Sequence, residues 1–280
     1  MNKNQNSGTA LLRKIVLGGL VAFHQVGHAD LIAFDLYNSQ SHKLIQYNNP
    51  FQNAFTHSID DSFQIQQQGS STTSAGLLDT SATGSDSMGL INAEHDFDKF
   101  FAVQDVDNPA NTKGHATASW VFDIKAATDL SFSLDIAAMG DFELSDWFRW
   151  DYSIDNLIRK PLFELNSAQS KVQAYQLVSG YTSVINDPLS LNNQLLNNEF
   201  QNFSSQLLGT GSQLELFFTA QQNGGSEVLA FRNLKIEGQS QQFDSTSIPT
   251  PSTTSLLLLG ILWFYRSGFK LTAKKHSISA

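Results

Sequence analysis

Leu130, Phe132, Leu134 and Ile136 alternate with Ser131, Ser133 and Asp135. Phe148, Trp150, Tyr152 and Ile154 alternate with Arg149, Asp151, Ser153 and Asp155. Leu214, Leu216 and Phe218 alternate with Gln213, Glu215 and Thr219, a rhythm broken only by Phe217. Successive strand side chains point to opposite faces, so period-two runs of this length predict half-buried antiparallel strands. Shorter apolar runs predict further strands at 43–47, 100–106, 116–124, 162–165, 174–178, 200–207 and 228–237. Turn residues separate them, as at Asn108-Pro109, Lys113-Gly114, Gly140-Asp141, Asp187-Pro188 and Asn223-Gly224-Gly225. Many short strands without alternating helices predict an all-β fold, an antiparallel, jelly-roll-like β-sandwich. One short helix is predicted over 187–197. The segment 31–89 is rich in Ser, Thr, Gln and Asn. Phe34, Leu36, Tyr37, Phe51, Phe55 and Phe63 anchor it, which predicts edge strands and long polar loops on the same sandwich.

The two ends of the chain follow other patterns. Lys3, Arg13 and Lys14 precede a short apolar run from Ile15 to Phe23, and Gly27-His28-Ala29 supplies the small residues that a signal peptidase reads. A signal helix over 1–29, cleaved after Ala29, is the expectation; an amphipathic N-terminal helix of the mature fold is the alternative. At the other end, Pro249-Thr250-Pro251-Ser252 is followed by an uncharged run containing Leu256, Leu257, Leu258, Leu259, Ile261, Leu262, Trp263, Phe264 and Tyr265. Arg266 and Lys270 begin a basic end. The prolines interrupt any helix. At ~1.5 Å per residue, the run from Ser252 to Phe269 reaches about 27 Å, enough to span a hydrocarbon core marginally if Arg266 snorkels. Basic residues after the run place the body outside the membrane. A buried C-terminal helix is the alternative. The expected organisation is a signal peptide (1–29), a β-sandwich (30–238), a polar linker (239–248) and a sorting or anchor segment (249–275).

Charge sharpens this division. The net charge of −9 combines unlike parts, because all 26 acidic residues lie between Asp30 and Asp244 with only 10 of the 17 basic ones, a net −16 for that segment. Such a body repels nucleic acid and anionic lipid, so no nucleic-acid partner is expected. The chain has no cysteine, which excludes thiolate metal sites and thiol nucleophiles.

The C-terminal pattern resembles the PEP-CTERM sorting signal of Gram-negative bacteria. The motif corresponds to Pro249-Thr250-Pro251-Ser252, with Thr250 where the family name has Glu. The resemblance implies handling by a membrane exosortase after signal-peptidase cleavage. It further implies a place at the cell surface, in the extracellular matrix or in the exopolysaccharide layer. Residues 101–238 resemble jelly-roll modules of secreted bacterial proteins. That likeness rests on Gly140-Asp141-Phe142-Glu143 leading into Trp150–Asp155, and on Gly224-Gly225-Ser226-Glu227 leading into Ala230-Phe231-Arg232-Asn233-Leu234. In such modules the last strand often reads Phe-Asp-Asn; here Arg232 replaces the Asp.

Two oxygen clusters are candidate calcium ligands: Asp105 and Asp107 with Asn108, and Asp141, Glu143 and Asp146. Solvated loop acids that cap turns are the alternative. Trp147 and Trp150 lie three apart on one strand and so face opposite sides. With Trp150 inward, Trp147 and Arg149 form a candidate platform for sugar stacking; packing of both tryptophans in the core is the alternative. No nucleophile elbow and no phosphate loop is present. Asp141, Glu143, Asp151 and Asp155 are the carboxylates available to a glycosidase-like hydrolase. The leading expectation is a non-catalytic matrix or carbohydrate-binding β-sandwich, and the rival is a small secreted carboxylate-dependent hydrolase.

Overall fold

The computed structural model describes residues 29–52, 61–70, 73, 75–80 and 88–240. Ala29 is exposed just before the first strand. The rest of the expected signal helix, the proline motif, the anchor helix and the basic end lie outside the described residues. Among those described, no helix is long and apolar enough to cross a membrane.

In chain order the strands are β1 Asp30–Tyr37, β2 Gln40–His42, β3 Leu44–Asn48, β4 Ser62–Gln67, β5 Leu78–Asp79, β6 Ile91–Asn92, β7 Lys99–Gln104, β8 Ala116–Asp123 and β9 Ala127–Met139. Then follow β10 Trp147–Ile154, β11 Lys160–Ser167, β12 Val172–Gln176, β13 Thr182–Asn186, β14 Leu189–Leu191, β15 Gln194–Leu195, β16 Gln201–Gln206, β17 Gln213–Gln221 and β18 Val228–Ser240. The first seven-stranded sheet runs β16-β9-β18-β1-β2, with β7 also on β18 and β4 on β7. The second runs β15-β14-β11-β10-β17-β8-β3. All pairs in both sheets are antiparallel; the small β5–β6 pair is parallel. From β7 to β10 and again from β16 to β18, the chain passes back and forth between the two sheets.

The three strongest alternating runs are β9, β10 and β17, at the centre of the sandwich. Their apolar faces meet in one core. Trp120, Trp150 and Phe218 of the second sheet pack there with Phe101, Phe132 and Phe231 of the first, all fully buried. Edge-to-face and tilted ring contacts at 4.8–5.9 Å, such as Trp150–Phe231 at 4.8 Å and Trp120–Phe231 at 5.9 Å, tie the group together. The Trp120 indole also donates to Asp35 Oδ2 at 3.0 Å, so β1 is bonded into the core from the far sheet.

The first sheet is buried on its other face as well. Phe100, Ala102, Ala137, Met139, Val228 and Ala230 form a second cluster, roofed by Tyr175 and Leu177 and by Leu77, Leu90 and Ile91. Among the described residues no second apolar cluster lies on the outer face of the second sheet, where Trp147 is half-buried and Arg149 exposed beside the buried Asp151 and Phe217.

The predicted helix over 187–197 is not formed. These residues fold as the β14–β15 hairpin, with Asn192 and Asn193 at φ 53° and 65°. Two consecutive left-handed residues are what a two-residue type I′ turn demands, and Asn tolerates them. Leu189 and Leu191, two apart, are buried on one side, so strand spacing governs here. The segment expected to supply edge strands does so with β2, β3 and β4, and also contributes β1 as an interior strand between β18 and β2. β18 continues to Ser240, past the expected domain end at 238, because Asp30 pairs with Gly238 and Ser240 Oγ bonds the Asp30 carboxylate.

Candidate functional site

The open face of the second sheet is built by parity. Phe148, Trp150, Tyr152 and Ile154 of β10 enter the core, so Trp147, Arg149, Asp151 and Ser153 face away from it. The same holds for Glu215, Phe217, Thr219 and Gln221 of β17, and for Thr117, Ser119 and Val121 of β8. Register sets these residues in rows: Trp147 beside Gln221; Arg149 beside Thr219 and Thr117; Asp151 beside Phe217 and Ser119. Side-chain contacts confirm the rows. Trp147 Nε1 donates to Gln221 Oε1 at 3.1 Å, and the Thr117 and Thr219 hydroxyls meet at 2.9 Å.

Trp147 is thus half-buried and on the same face as Arg149, whose Nε donates to Asp151 Oδ2 at 2.9 Å. Phe217, the residue that interrupts the β17 alternation, stands at the middle of this face. It is only 6% exposed, because the Arg159 guanidinium lies 3.4 Å from its ring centroid. An aromatic ring on the polar side of a sheet, capped by a cation from an exposed loop, offers cation–π and stacking chemistry. The face continues into a polar hollow lined by Gln46, Val121, Asp155, Asn156 and Glu215. Sequence reasoning missed Phe217 as a site residue, although its break of the period-two pattern was the available signal.

The candidate metal ligands fall differently from expectation. Asp105 lies in a left-handed conformation at φ 45°, its carbonyl accepting from the Asn108 amide, and Asn108 Oδ1 caps Ala110 N. Asp107 is exposed. Both lie outside the cluster of three acids found among the described residues, and Asn108 organises the turn that they occupy. Asp141 is exposed and also outside the cluster. Glu143 and Asp146 are brought together, and the third member is Glu227 from the connection between β17 and β18. Their ligand atoms all lie within 4.8 Å of one another. Asp146 and Glu227 are buried, while Glu143 is exposed. The 143–146 turn closes itself, with Glu143 N donating to Asp146 Oδ2 and Asp146 N donating to Glu143 O. Gln222, fully buried, donates its amide to Glu227 O at 2.7 Å and to Glu227 Oε2 at 3.3 Å. Gly140 and Gly224 pack so closely on Glu227 that a Cβ at either would lie 2.7 Å or less from it.

Burial, then the neighbouring Asp146 and Glu143 charges, pushes the Glu227 carboxyl up to about 9. Burial and the Glu143 contact push Asp146 up to about 6. Burial also raises Asp35. Without a cation, the folded chain therefore holds protons that the unfolded chain releases, so stability falls as pH rises through this window. Asp155 is lowered by amides from Gln213 and Ser212, but its effect lies at acid pH below that window. In chelator the melting temperature is expected to fall steadily from pH 5 to pH 9, and Glu227→Gln should remove most of that slope. A flat or rising profile for the parent chain would contradict the assignment.

The Arg232 anomaly is also resolved. Its Nη1 bonds both Asp96 oxygens at 2.6 and 2.7 Å, and its guanidinium lies 4.1 Å from the Phe200 ring centroid. The position pins a loop by an ion pair.

No family model and no curated protein matches this chain. Several solved structures do, at a distance. TmCBM61 in complex with β-1,4-galactotriose matches at a TM-score of 0.29 and 7% identity, over 53% of this chain and 75% of that one. A cyclase from Fischerella sp. TAU matches at 0.27 and 12%, over 53% and 66%. A CBM4 structure matches at 0.25 and 9%, over 54% and 93%. Likenesses this remote assign neither a family nor a ligand.

Proposed function

We propose that this chain is an exported, exosortase-sorted cell-surface or extracellular-matrix protein. Its body, a non-catalytic β-sandwich of jelly-roll type, binds exopolysaccharide. The observation that carries the binding half is the outer face of the second sheet, which presents Trp147 beside the exposed Arg149. Trp147, half-buried, supplies a ring for the C–H face of a sugar, and Arg149, Arg159, Thr117 and Thr219 supply donors and acceptors for its hydroxyls. The sorting half rests on the sequence pattern at 249–270.

The placement of the acids favours binding over hydrolysis. A glycosidase needs two free carboxyls about 5–9.5 Å apart across a bond. Asp151 is held by Arg149, and Asp155 accepts bonds from Ser212 and Gln213 at a turn. The remaining trio is too tight, and too buried at Asp146 and Glu227, to straddle a sugar.

One set of strains tests both halves. Affinity electrophoresis against the exopolysaccharide of the producing cells should retard the parent body, and Trp147→Ala should weaken that retardation by about tenfold or more, as loss of an aromatic anchor does. Replacing Pro249 and Pro251 by Ala should leave the chain uncut in the inner membrane. Absence of retardation for the parent sinks the binding half; unchanged processing of the double variant sinks the sorting half.

A further inference from the structure

We propose that Glu143, Asp146 and Glu227 form a calcium site that clamps the β9–β10 turn to the β17–β18 connection. The site is independent of the sugar-binding reading.

Three observations converge on it. The ligand atoms lie within 4.8 Å of one another. Oxygens that share a calcium ion at about 2.4 Å can be at most about 4.8 Å apart, so this spacing lets all three carboxylates reach one ion, and calcium tolerates irregular oxygen geometry better than magnesium does. Second, the site has buried polar atoms that nothing in the protein satisfies. Asp146 is 2% exposed and Gln222 is 0% exposed, yet Asp146 Oδ1 and Gln222 Oε1 have no hydrogen-bond partner. The Asp146 carboxyl is within hydrogen-bonding reach of the Glu143 and Glu227 carboxyls, so its unbonded oxygen is available to an ion that they share. Buried polar atoms of native proteins are rarely left unmatched, and an ion is one recognised explanation. Third, the negative charge has no protein counter-charge. Among the described residues none of the three acids pairs with Lys, Arg or His. Buried carboxylates this close must either hold protons or hold a cation.

The donor set is all oxygen, which selects a hard cation over zinc or copper. Three carboxylates offer three to six oxygens, and the buried Gln222 amide, whose nitrogen bonds Glu227, has an unmatched oxygen of its own. Gly140 and Gly224 leave room for the Glu227 side chain by lacking a Cβ. The clamp joins segments distant in sequence, and its Asp146 directly precedes Trp147. Bound calcium would therefore fix one end of the open face described above.

The test uses the full-length chain in detergent, stripped with EDTA. Terbium(III) is titrated as a calcium surrogate, read by luminescence that energy transfer from the adjacent Trp147 excites, and then displaced with calcium. A calcium affinity in the range of about 0.1–1 mM is expected, as in other extracellular modules. Calcium at several times that concentration should raise the melting temperature of the parent. Glu227→Gln and Asp146→Asn should each weaken terbium binding at least tenfold and abolish the calcium-dependent shift, while melting no lower than the parent in EDTA. Asp107→Asn and Asp141→Asn should bind as the parent does. If a buried variant fails to fold, the exposed Glu143→Gln decides on the same readout. Absence of any calcium effect on the parent up to about 10 mM would overturn the proposal. So would a response retained by the Glu227, Asp146 and Glu143 variants.

Discussion

Trp150→Ala should lower stability by about 3–5 kcal/mol, the usual cost of emptying a large aromatic site. Trp150 is fully buried and lies at the centre of the ring cluster, with Trp120, Phe132, Phe218 and Phe231 at centroid distances of 5.6, 5.4, 5.0 and 4.8 Å. Two of these rings come from each sheet, so no single strand can move to fill the void. For a body of this size the loss corresponds to a fall of about 10 °C in melting temperature. Trp147→Ala provides the internal comparison. It removes the same side chain from the half-buried outer position and loses one hydrogen bond to Gln221. Its expected cost is about 1 kcal/mol. Equal losses for the two variants would show that the two sheets are not joined through Trp150.

Gly140→Ala should cost about 2–4 kcal/mol through overpacking and backbone strain. Gly140 follows β9 at φ 154°, and a Cβ there would stand 2.7 Å from Glu227 Cα, a backbone atom that cannot swing aside. The substitution must push the β17–β18 connection away from β9, and should therefore also remove the calcium response while leaving all three acids in place. Gly180→Ala separates this contact from the intrinsic cost of a left-handed residue. Gly180 has φ 84° but nothing within 4 Å of the added methyl. A calcium response preserved in Gly140→Ala would mean that the clamp tolerates displacement and that the close packing has no part in it.

Much of the central fold was legible because parity is a local property. In β9, β10 and β17, each residue's side of the sheet follows from its neighbour's, and the burial of Phe148, Trp150, Tyr152 and Ile154 agrees with the alternation. The second sheet's open face was partly legible for the same reason, since Trp147 and Arg149 share a parity. Phe217 was visible only as an irregularity, because its meaning depends on Arg159 in the loop between β10 and β11. The helix expected over 187–197 failed because consecutive Asn residues were not weighed as a turn pair. The acid cluster shows a harder limit. Glu143 and Asp146 stand in one loop, but Glu227 joins them only through the pairing of β18 with β9, whose register places Val228 opposite Met139. Nearness in sequence instead favoured Asp141, which faces solvent. Long-range register carries that information, and no local pattern encodes it.

The pairing of Asp30 with Gly238 puts the start of β1 and the end of β18 at the same corner of the sandwich. That proximity has a mechanical consequence. A load drawn between the two ends of the body would peel β1 from β18 one rung at a time, a weak mode of failure. A load that enters through the open face of the second sheet and leaves along the chain after Ser240 pulls β18 lengthwise instead. That strand is held by β9 on one side and by β1 and β7 on the other. Its rungs would then bear the tension in parallel, so the body resists a load applied through that face far better than being stretched end to end.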